Sequence, residues 1–448
     1  MNRFAGSDTQ KRAACAAILT VLAATFGLLA QGPSIEIRLT ANAPGSRLLL
    51  TSVIPAGPQP LVITPVDVNG DGHTDLAIAD YQNFMTISTN DGAGHFATAQ
   101  YLLIGGSPVQ LAAGDLNGDG LPDLVSCNSS LSDNSVTVLI NSPTGNFFRH
   151  ARIPVDSGPV SITCGDLNMD GNLDIVTANY DGNTLTVLTN DGHANFTISQ
   201  TLPAGLFAHG IDAMDVDKDG FLDLVATSHE ESNLRVYTND HRGRFSSSFS
   251  MPVPGKPRWQ AAGDFNHDGY PDLATANAGD GTVAILLNNK DGTFRASASL
   301  STGIGAYGIS AGDIDGDGSL DLAVANYQST NKTVAVFRND GAGNFSLIQV
   351  LGVADKPYYA LIANLDHSAT GFLVMPSATE NTVSLAKYAL KSVTLSWSST
   401  GGDFFAEQCT GLTRPNWWML PEATIVRGPT NRINFPLTGE SSVFRLVR

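Results

Sequence analysis

Residues Asp115–Leu124 read DLNGDGLPDL: side-chain oxygens at positions 1, 3, 5 and 9, glycine at position 6, and an apolar run directly after. The same ten-residue pattern returns as DVNGDGHTDL from Asp67, DLNMDGNLDI from Asp166, DVDKDGFLDL from Asp215, DFNHDGYPDL from Asp264 and DIDGDGSLDL from Asp313. Successive starts lie 48, 51, 49, 49 and 49 residues apart, and a degenerate copy, NLDHSATGFL, begins 51 residues further on at Asn364. Around each loop stand short apolar and β-branched runs such as DIVTAN and NTLTVLTN, separated by Gly, Asn and Asp turns, and helical periodicity is absent. Each unit therefore reads as a four-stranded antiparallel sheet. A sheet of about 50 residues cannot cover both of its faces, whereas radial stacking of several does so. The predicted fold is all-β: a seven-bladed β-propeller with calcium-binding loops over residues 47–390. The seventh unit is one strand short, so Leu48–Ile54, which has no unit before it, is expected to supply the outer strand of the last blade and close the ring.

Oxygens at alternating positions of a tight loop suit a hard cation. Calcium takes six to eight oxygens, and a backbone carbonyl at position 7 commonly joins the side chains. The expected ligands are Asp67, Asn69, Asp71 and Asp75 in the first loop and Asp115, Asn117, Asp119 and Asp123 in the second. Asp166, Asn168, Asp170 and Asp174 follow in the third, and Asp215, Asp217, Asp219 and Asp223 in the fourth. The fifth has Asp264, Asn266, Asp268 and Asp272, and the sixth Asp313, Asp315, Asp317 and Asp321. An EF-hand opens in the same way but needs Glu at position 12 and flanking helices. Position 12 is Ile78 or Ser126 here, between strands, so that reading fails.

The charge distribution agrees with about six structural calcium sites. Of 42 acidic residues, 20 are aspartates at these ligand positions, which leaves 22 against 25 Lys and Arg, a net of +3 outside the loops in a chain of formal charge -17. Carboxylates packed so closely repel one another unless a cation lies among them. Asp, Asn and Gly are also good turn formers, and one copy could be explained that way. Six copies with Asp always at position 9 are not. The seventh loop, with Ser368 at position 5 and Phe372 at position 9, is expected to bind no calcium.

The six D-x-D/N-x-D-G-x-x-D loops resemble the FG-GAP, or VCBS, repeats of integrin α-subunit propellers and of many secreted bacterial proteins, over about residues 47–390. That class includes adhesion receptors, lectins and non-catalytic modules attached to enzymes, so the resemblance implies a fold more sharply than an activity.

The N-terminus carries Arg3, Lys11 and Arg12 ahead of an apolar stretch from Ala13 to Ala30, a secretory signal pattern over residues 1–30, with an uncleaved anchor as the alternative. Residues 31–46 read as a linker. Past the signal, Cys127, Cys164 and Cys409 give an odd number without paired spacing, so no disulfide framework is implied. The expected place is outside the cell or on its surface, with no membrane span once the signal is cut. No basic run offers itself to phosphate backbones, so nucleic acid is not an expected partner.

The face opposite the acidic loops is built from loops that differ between units. Six residues before each loop start stand Leu61, Val109, Val160, His209, Arg258, Tyr307 and Tyr358, with Trp259 beside Arg258; fourteen after it, Tyr180, His229 and Tyr327 join Tyr81, Ser129, Ala278 and Ala378. Aromatic platforms with a few hydrogen-bonding groups on rigid loops suit sugars or exposed peptide side chains. Tyr180, His209, His229, Arg258, Trp259, Tyr307, Tyr327 and Tyr358 are therefore the candidate ligand residues, although they could equally line or plug the channel mouth. The expected function is an extracellular binding or adhesion module for a protein or glycan. The alternative is a lectin, or a polysaccharide lyase using His209, His229, Arg258 and a tyrosine for proton abstraction. No nucleophile, acid pair or catalytic metal is discernible, so catalysis is not the expected role.

After Leu390 the acidic loop disappears. Alternating runs at Val393–Trp397, Phe404–Gln408 and Ser442–Val447 predict a small β-sandwich over residues 391–448, weakly similar to fibronectin-like or immunoglobulin-like modules.

Overall fold

The computed structural model describes the backbone of residues 35–40, 48–130, 133–328, 332–353, 357–388, 392–398, 405–410, 417–419, 425–426, 430–436 and 442–447, with side chains inside the span 48–388. The signal pattern at 1–30 lies outside the described residues. The chain divides into two compact units, Leu48–Tyr388 and a second that combines both ends of the chain.

The first unit is a seven-bladed propeller of antiparallel four-stranded sheets. Blade three shows the pattern: Pro159–Gly165, Asp174–Asn179, Thr184–Asn190 and Phe196–Pro203 pair in chain order. Six of the seven second strands, from Asp75–Asp80 to Phe372–Ser377, have six residues; four-residue cores such as Leu-Ala-Ile-Ala are buried throughout because a blade lies against each side. The second strand of blade two, Asp123–Ser130, is the longer exception. An unbroken apolar run between turn residues reads as such a strand. Leu76, Leu124, Leu224, Leu273 and Leu322 are all fully buried there, each contributing about 1.5–3 kcal/mol by leaving water. First strands of successive blades neighbour one another, and fourth strands alternate outward-facing residues.

Ring closure follows the expectation. Leu48–Pro55 pairs with Thr382–Tyr388, Leu48 opposite Tyr388 and Pro55 opposite Thr382, outside Leu361–Ala363 and Phe372–Ser377. A glutamine clamp reinforces the join: Leu48 N–H donates to Gln349 Oε1 (2.8 Å), and Gln349 Nε2 donates to the Leu48 carbonyl (3.1 Å). Gln100 makes the same two-way bond to Phe147, and Gln200 to Phe245, so an ordinary blade-to-blade contact is reused at the closing seam.

In the second unit Ile35–Thr40, read from sequence as part of a linker, is instead a strand: Ile35 lies opposite Trp397 and Thr40 opposite Ser392. Its alternating IEIRLT pattern gives a reason, since it completes a sheet whose partner strand is distant in sequence. That sheet continues through Ser392–Ser398 to Thr430–Pro436 and Ile425–Val426, and a second sheet joins Trp417–Met419, Phe405–Thr410 and Ser442–Val447. Of the runs expected to be strands, Val393–Trp397 and Ser442–Val447 lie within these elements and Phe404–Gln408 overlaps Phe405–Thr410, with Phe404 outside the described residues. Among the described residues, no helix is long and apolar enough to cross a membrane.

Candidate functional site

Each acidic loop joins the first and second strands of its blade. In the second loop, Asp115 accepts from Asp119 N–H (3.2 Å) and Gly120 N–H (2.8 Å), Asn117 Oδ1 accepts from Asp119 N–H (2.9 Å), and Asp119 Oδ1 accepts from Leu121 N–H (2.9 Å). These bonds wind the loop so that the oxygens at positions 1, 3 and 5 turn inward. Gly120 lies at φ 83°, and its counterparts Gly72, Gly171, Gly220, Gly269 and Gly318 at 84–93°, a left-handed region that penalises a Cβ. Position 9 works differently. Asp123 is fully buried; its Oδ2 accepts from Leu116 N–H (3.0 Å) and its Oδ1 from Asn141 N–H (2.8 Å), tying the loop to the end of the third strand.

Burial pushes the Asp174, Asp223 and Asp272 carboxyls up to about 6 and Asp321 up to about 8; the backbone N–H groups pull the other way, and the aspartates at positions 1, 3 and 5 add to the rise. Asp75 and Asp123 are raised for the same reasons. Asp215, Asp217 and Asp223, and likewise Asp313, Asp315 and Asp317, each bring three carboxylate oxygens within 4.8 Å of one another. Oxygen-only donors with three or four carboxylates fit a hard divalent cation better than a thiolate- or imidazole-seeking metal.

The seventh loop provides an internal contrast. Lys387, on the third strand of that blade, donates from Nζ to Asp366 Oδ2 and to Ser368 Oγ (2.6 Å), at loop positions 3 and 5. Its ammonium also lies 4.5 Å from the centroid of the Phe372 ring, the residue that replaces the position-9 aspartate. Burial alone would raise Asp366, but Lys387 holds it below the ordinary carboxylate range. In blade six the equivalent third-strand residue, Arg338, comes no closer than 3.8 Å to Asp315.

A set of asparagines escaped the sequence reading. Asn190 donates from Nδ2 to the carbonyls of Leu116 in the preceding blade (2.8 Å) and Leu173 in its own (3.0 Å), while its N–H binds Asp174. Asn90, Asn141, Asn239, Asn288 and Asn339 do the same, and Asn90 reaches Leu365 across the closing seam. The recurrent Asn at the end of each third strand was the available signal, but Asn at a strand end, three times before Asp-Gly, reads simply as a turn.

At the opposite face, blades three to seven bring all eight candidate ligand residues into one contact network, Trp259 through its ring contacts with His209 at 6.3 Å and Tyr358 at 5.9 Å. Arg258 Nη1 donates to Tyr307 Oη (2.7 Å) and lies 3.4 Å from His209 Nε2, its guanidinium carbon 4.5 Å from the Tyr307 ring centroid. Tyr307 Oη and Tyr358 Oη are 3.0 Å apart, and Tyr327 packs against both rings. Tyr180 stacks on Phe207 at 4.5 Å and meets His209 edge-on and His229 at a tilt. Burial, then the Arg258 charge, push the His209 and His229 pKa values down, so both imidazoles are neutral near pH 7.

Two expectations about this face need correction. Trp259 is not a surface platform: it is 4% exposed and packs in the core against Tyr359 at 5.2 Å. Successive side chains of a strand face opposite ways, so Trp259 turns inward next to half-buried Arg258, its ring lying beneath His209 and Tyr358 at 6.3 and 5.9 Å. The face is also less open than an aromatic platform, because His209, His229 and Tyr307 are buried, whereas Arg258, Tyr180, Tyr327 and Tyr358 are half-buried.

The FG-GAP-like repeat pattern matches residues 67–126, 118–177, 166–226, 215–275 and 264–324, and the FG-GAP repeat matches 305–348. No curated protein matches in sequence. Among solved structures, BBS1N in complex with ARL6DN is 13% identical with a TM-score of 0.56, covering 76% of this chain and 97% of that one. A putative 6-phosphogluconolactonase from Bacteroides uniformis is 12% identical with a TM-score of 0.54, covering 87% and 100%. Saccharomyces cerevisiae Sqt1 is 12% identical with a TM-score of 0.53, covering 76% and 100%. At such identities these likenesses concern the fold, and a propeller of this kind suggests a binding module. With repeats matched from 67 to 348, more than half of its length, the chain belongs to the FG-GAP repeat family of β-propeller proteins.

Proposed function

We propose that the protein is an exported, calcium-braced propeller that serves as an extracellular binding or adhesion module and takes a protein or glycan ligand on the face opposite its acidic loops. The observation that carries this reading is the asymmetry between the two faces. One face repeats a single carboxylate loop six times with side chains at the same positions, as a brace requires. The other differs from blade to blade and gathers Arg258, two neutral histidines and four tyrosines at one side of the ring. Loops that vary on a rigid scaffold are where binding residues concentrate.

Calcium in this reading is held by the oxygens at positions 1, 3, 5 and 9 of the six loops, the position-9 carboxylate also fixing the loop to its hairpin. Its contribution is to stability, because a site absent from the unfolded chain stabilises the native state alone. Export is supported by the basic-then-apolar N-terminus.

The test is binding of the calcium-loaded full chain to arrays of glycans and of extracellular proteins. Tyr180→Ala and His229→Ala are expected to weaken binding at least tenfold without lowering the thermal midpoint by more than a few degrees, while changes on the outer strands leave it intact. Binding lost only through outer-strand changes would move the ligand site off this face.

A further inference from the structure

Position 4 divides the six acidic loops into two sets. It is glycine in loops one, two and six (Gly70, Gly118 and Gly316) and Met169, Lys218 or His267 in the others. Among the described residues, only the glycines donate their N–H to the position-1 carboxylate: Gly70 to Asp67 Oδ1 (2.9 Å), Gly118 to Asp115 Oδ1 (2.8 Å) and Gly316 to Asp313 Oδ1 (2.6 Å). In loops one and two the residue before that glycine is Asn69 or Asn117, and these are the two Asn-Gly pairs of the chain.

An asparagine side chain beside glycine is open to attack by the glycine nitrogen, because no Cβ stands in the way. The loop surrounds that step with suitable groups. The Asp67 carboxylate receives the Gly70 N–H, while Asp71 N–H donates to Asn69 Oδ1 (3.0 Å) and polarises the carbonyl to be attacked. Asp115 and the N–H of Asp119 stand in the same relation to Gly118 and Asn117, the second bond being 2.9 Å. Asn69 Nδ2 donates to Asp71 Oδ2 (2.9 Å) and Asn117 Nδ2 to Asp119 Oδ2 (3.0 Å), so a carboxylate also lies beside each leaving nitrogen. Asn69 is exposed and Asn117 half-buried, both within reach of water.

We infer that Asn69 and Asn117 are sites of spontaneous deamidation, through which loops one and two exchange an amide for a carboxylate at position 3. The Gly70 nitrogen bonds to Asn69 Cγ and passes its proton to Asp67; the Cγ–Nδ2 bond breaks and ammonia leaves, closing a succinimide. Water then opens the ring to aspartate or isoaspartate, so one water is consumed and one ammonia released with no change of oxidation state. Aspartate reproduces the position-3 carboxylate that loops four and six already have in Asp217 and Asp315. Isoaspartate lengthens the main chain by one carbon and displaces the position-3 oxygen. Asn168 and Asn266, followed by Met169 and His267, lack both the glycine and the bond to position 1. Calcium, on the reading proposed above, draws Asp67 and the Asn69 oxygen onto itself and leaves the step without its proton acceptor.

The test incubates the full chain in mildly alkaline buffer, with calcium or with chelator, and maps deamidated and isoaspartyl peptides by mass spectrometry. In chelator Asn69 and Asn117 are expected to convert about tenfold faster than Asn168 and Asn266. Calcium at 100 times its Kd leaves about one loop in a hundred open and should slow both sites accordingly. Asp67→Asn in chelator is expected to slow Asn69 severalfold while Asn117, in the same molecule, keeps its rate. Gly118→Ala, where a Cβ would meet nothing nearer than 3.9 Å, is expected to do the converse. No conversion at Asn69 and Asn117 in chelator, or equal conversion of all four asparagines, would overturn the inference. An Asn69 rate indifferent to Asp67→Asn would overturn the part assigned to the loop. Rapid conversion that calcium does not slow would uphold the deamidation sites and count against calcium in loops one and two.

Discussion

In blade six Asp313, Asp315 and Asp317 bring three carboxylate oxygens within 4.8 Å of one another, whereas in blade seven the equivalent positions are Asn364, Asp366 and Ser368, with the Lys387 ammonium bound to the last two. The two loops stand in adjacent blades and hold opposite electrostatics. Asp321 of blade six is pushed up to about 8 by burial and by its neighbours, while Asp366 of blade seven is held low by Lys387. One loop has supplied its own cation and the position-9 carboxylate has become Phe372, whose ring packs against that cation. The other six keep the position-9 aspartate and three or four carboxylates each, which is the expected pattern if their cation comes from solution. On the proposed reading, the other six loops take from solution the positive charge that Lys387 supplies in the seventh.

The largest consequence concerns calcium removal. A site occupied at 100 times its Kd adds about 2.7 kcal/mol, so stripping six sites with a chelator should lower the thermal midpoint by more than about 10 °C. An unchanged midpoint would break the comparison outright.

Next is the pH response of the chelated protein. Asp174, Asp223 and Asp272 at about 6 and Asp321 at about 8 all lie above the ordinary aspartate value of 3.8, so the native state binds more protons than the unfolded chain. Stability from these groups is complete below about pH 3.8 and is lost as pH rises through 6 and then 8. Denaturant titrations in chelator should therefore show a more stable propeller at pH 5.5 than at pH 8. With calcium bound the order should reverse, because protons compete for its ligands.

Lys387→Met comes third. It leaves Asp366 part-buried without its cation, with an expected cost of about 2–4 kcal/mol that is equal with and without calcium. A loss confined to the calcium-loaded protein would mean that Lys387 does not replace an ion. The smallest effect is that of Asp317→Asn, expected to lower the midpoint modestly in calcium and to raise it slightly in chelator, where it relieves like-charge repulsion. Differential scanning calorimetry in both buffers reads both variants.

The blade number, the closing strand and the direction of the mouth residues were legible because a 49-residue spacing repeats the same φ/ψ-demanding loop and leaves Leu48–Pro55 without a unit of its own. Lys387 was not, since it is 21 residues from Asp366 on a different strand and only pairing in space shows it to be the loop's cation. The asparagine clamps were hidden for a similar reason: Asn190 and Leu116 are 74 residues apart, and a turn sequence says nothing about the blade behind it. Trp259 was picked out for standing next to Arg258, and strand neighbours face opposite ways, so the side chain beside a half-buried arginine is buried. Ile35–Thr40 was passed over because its pairing strand begins at Ser392.

The contrast between the loops is tested most directly by counting ions. Native mass spectrometry of the full chain at saturating free calcium should find six calcium ions bound, and five in Asp317→Asn if that loop is disabled. The Lys387→Met protein should still hold six. Retention of no ions, or of seven by the unmodified chain, would contradict the assignment of six cation-seeking loops and one that carries its own.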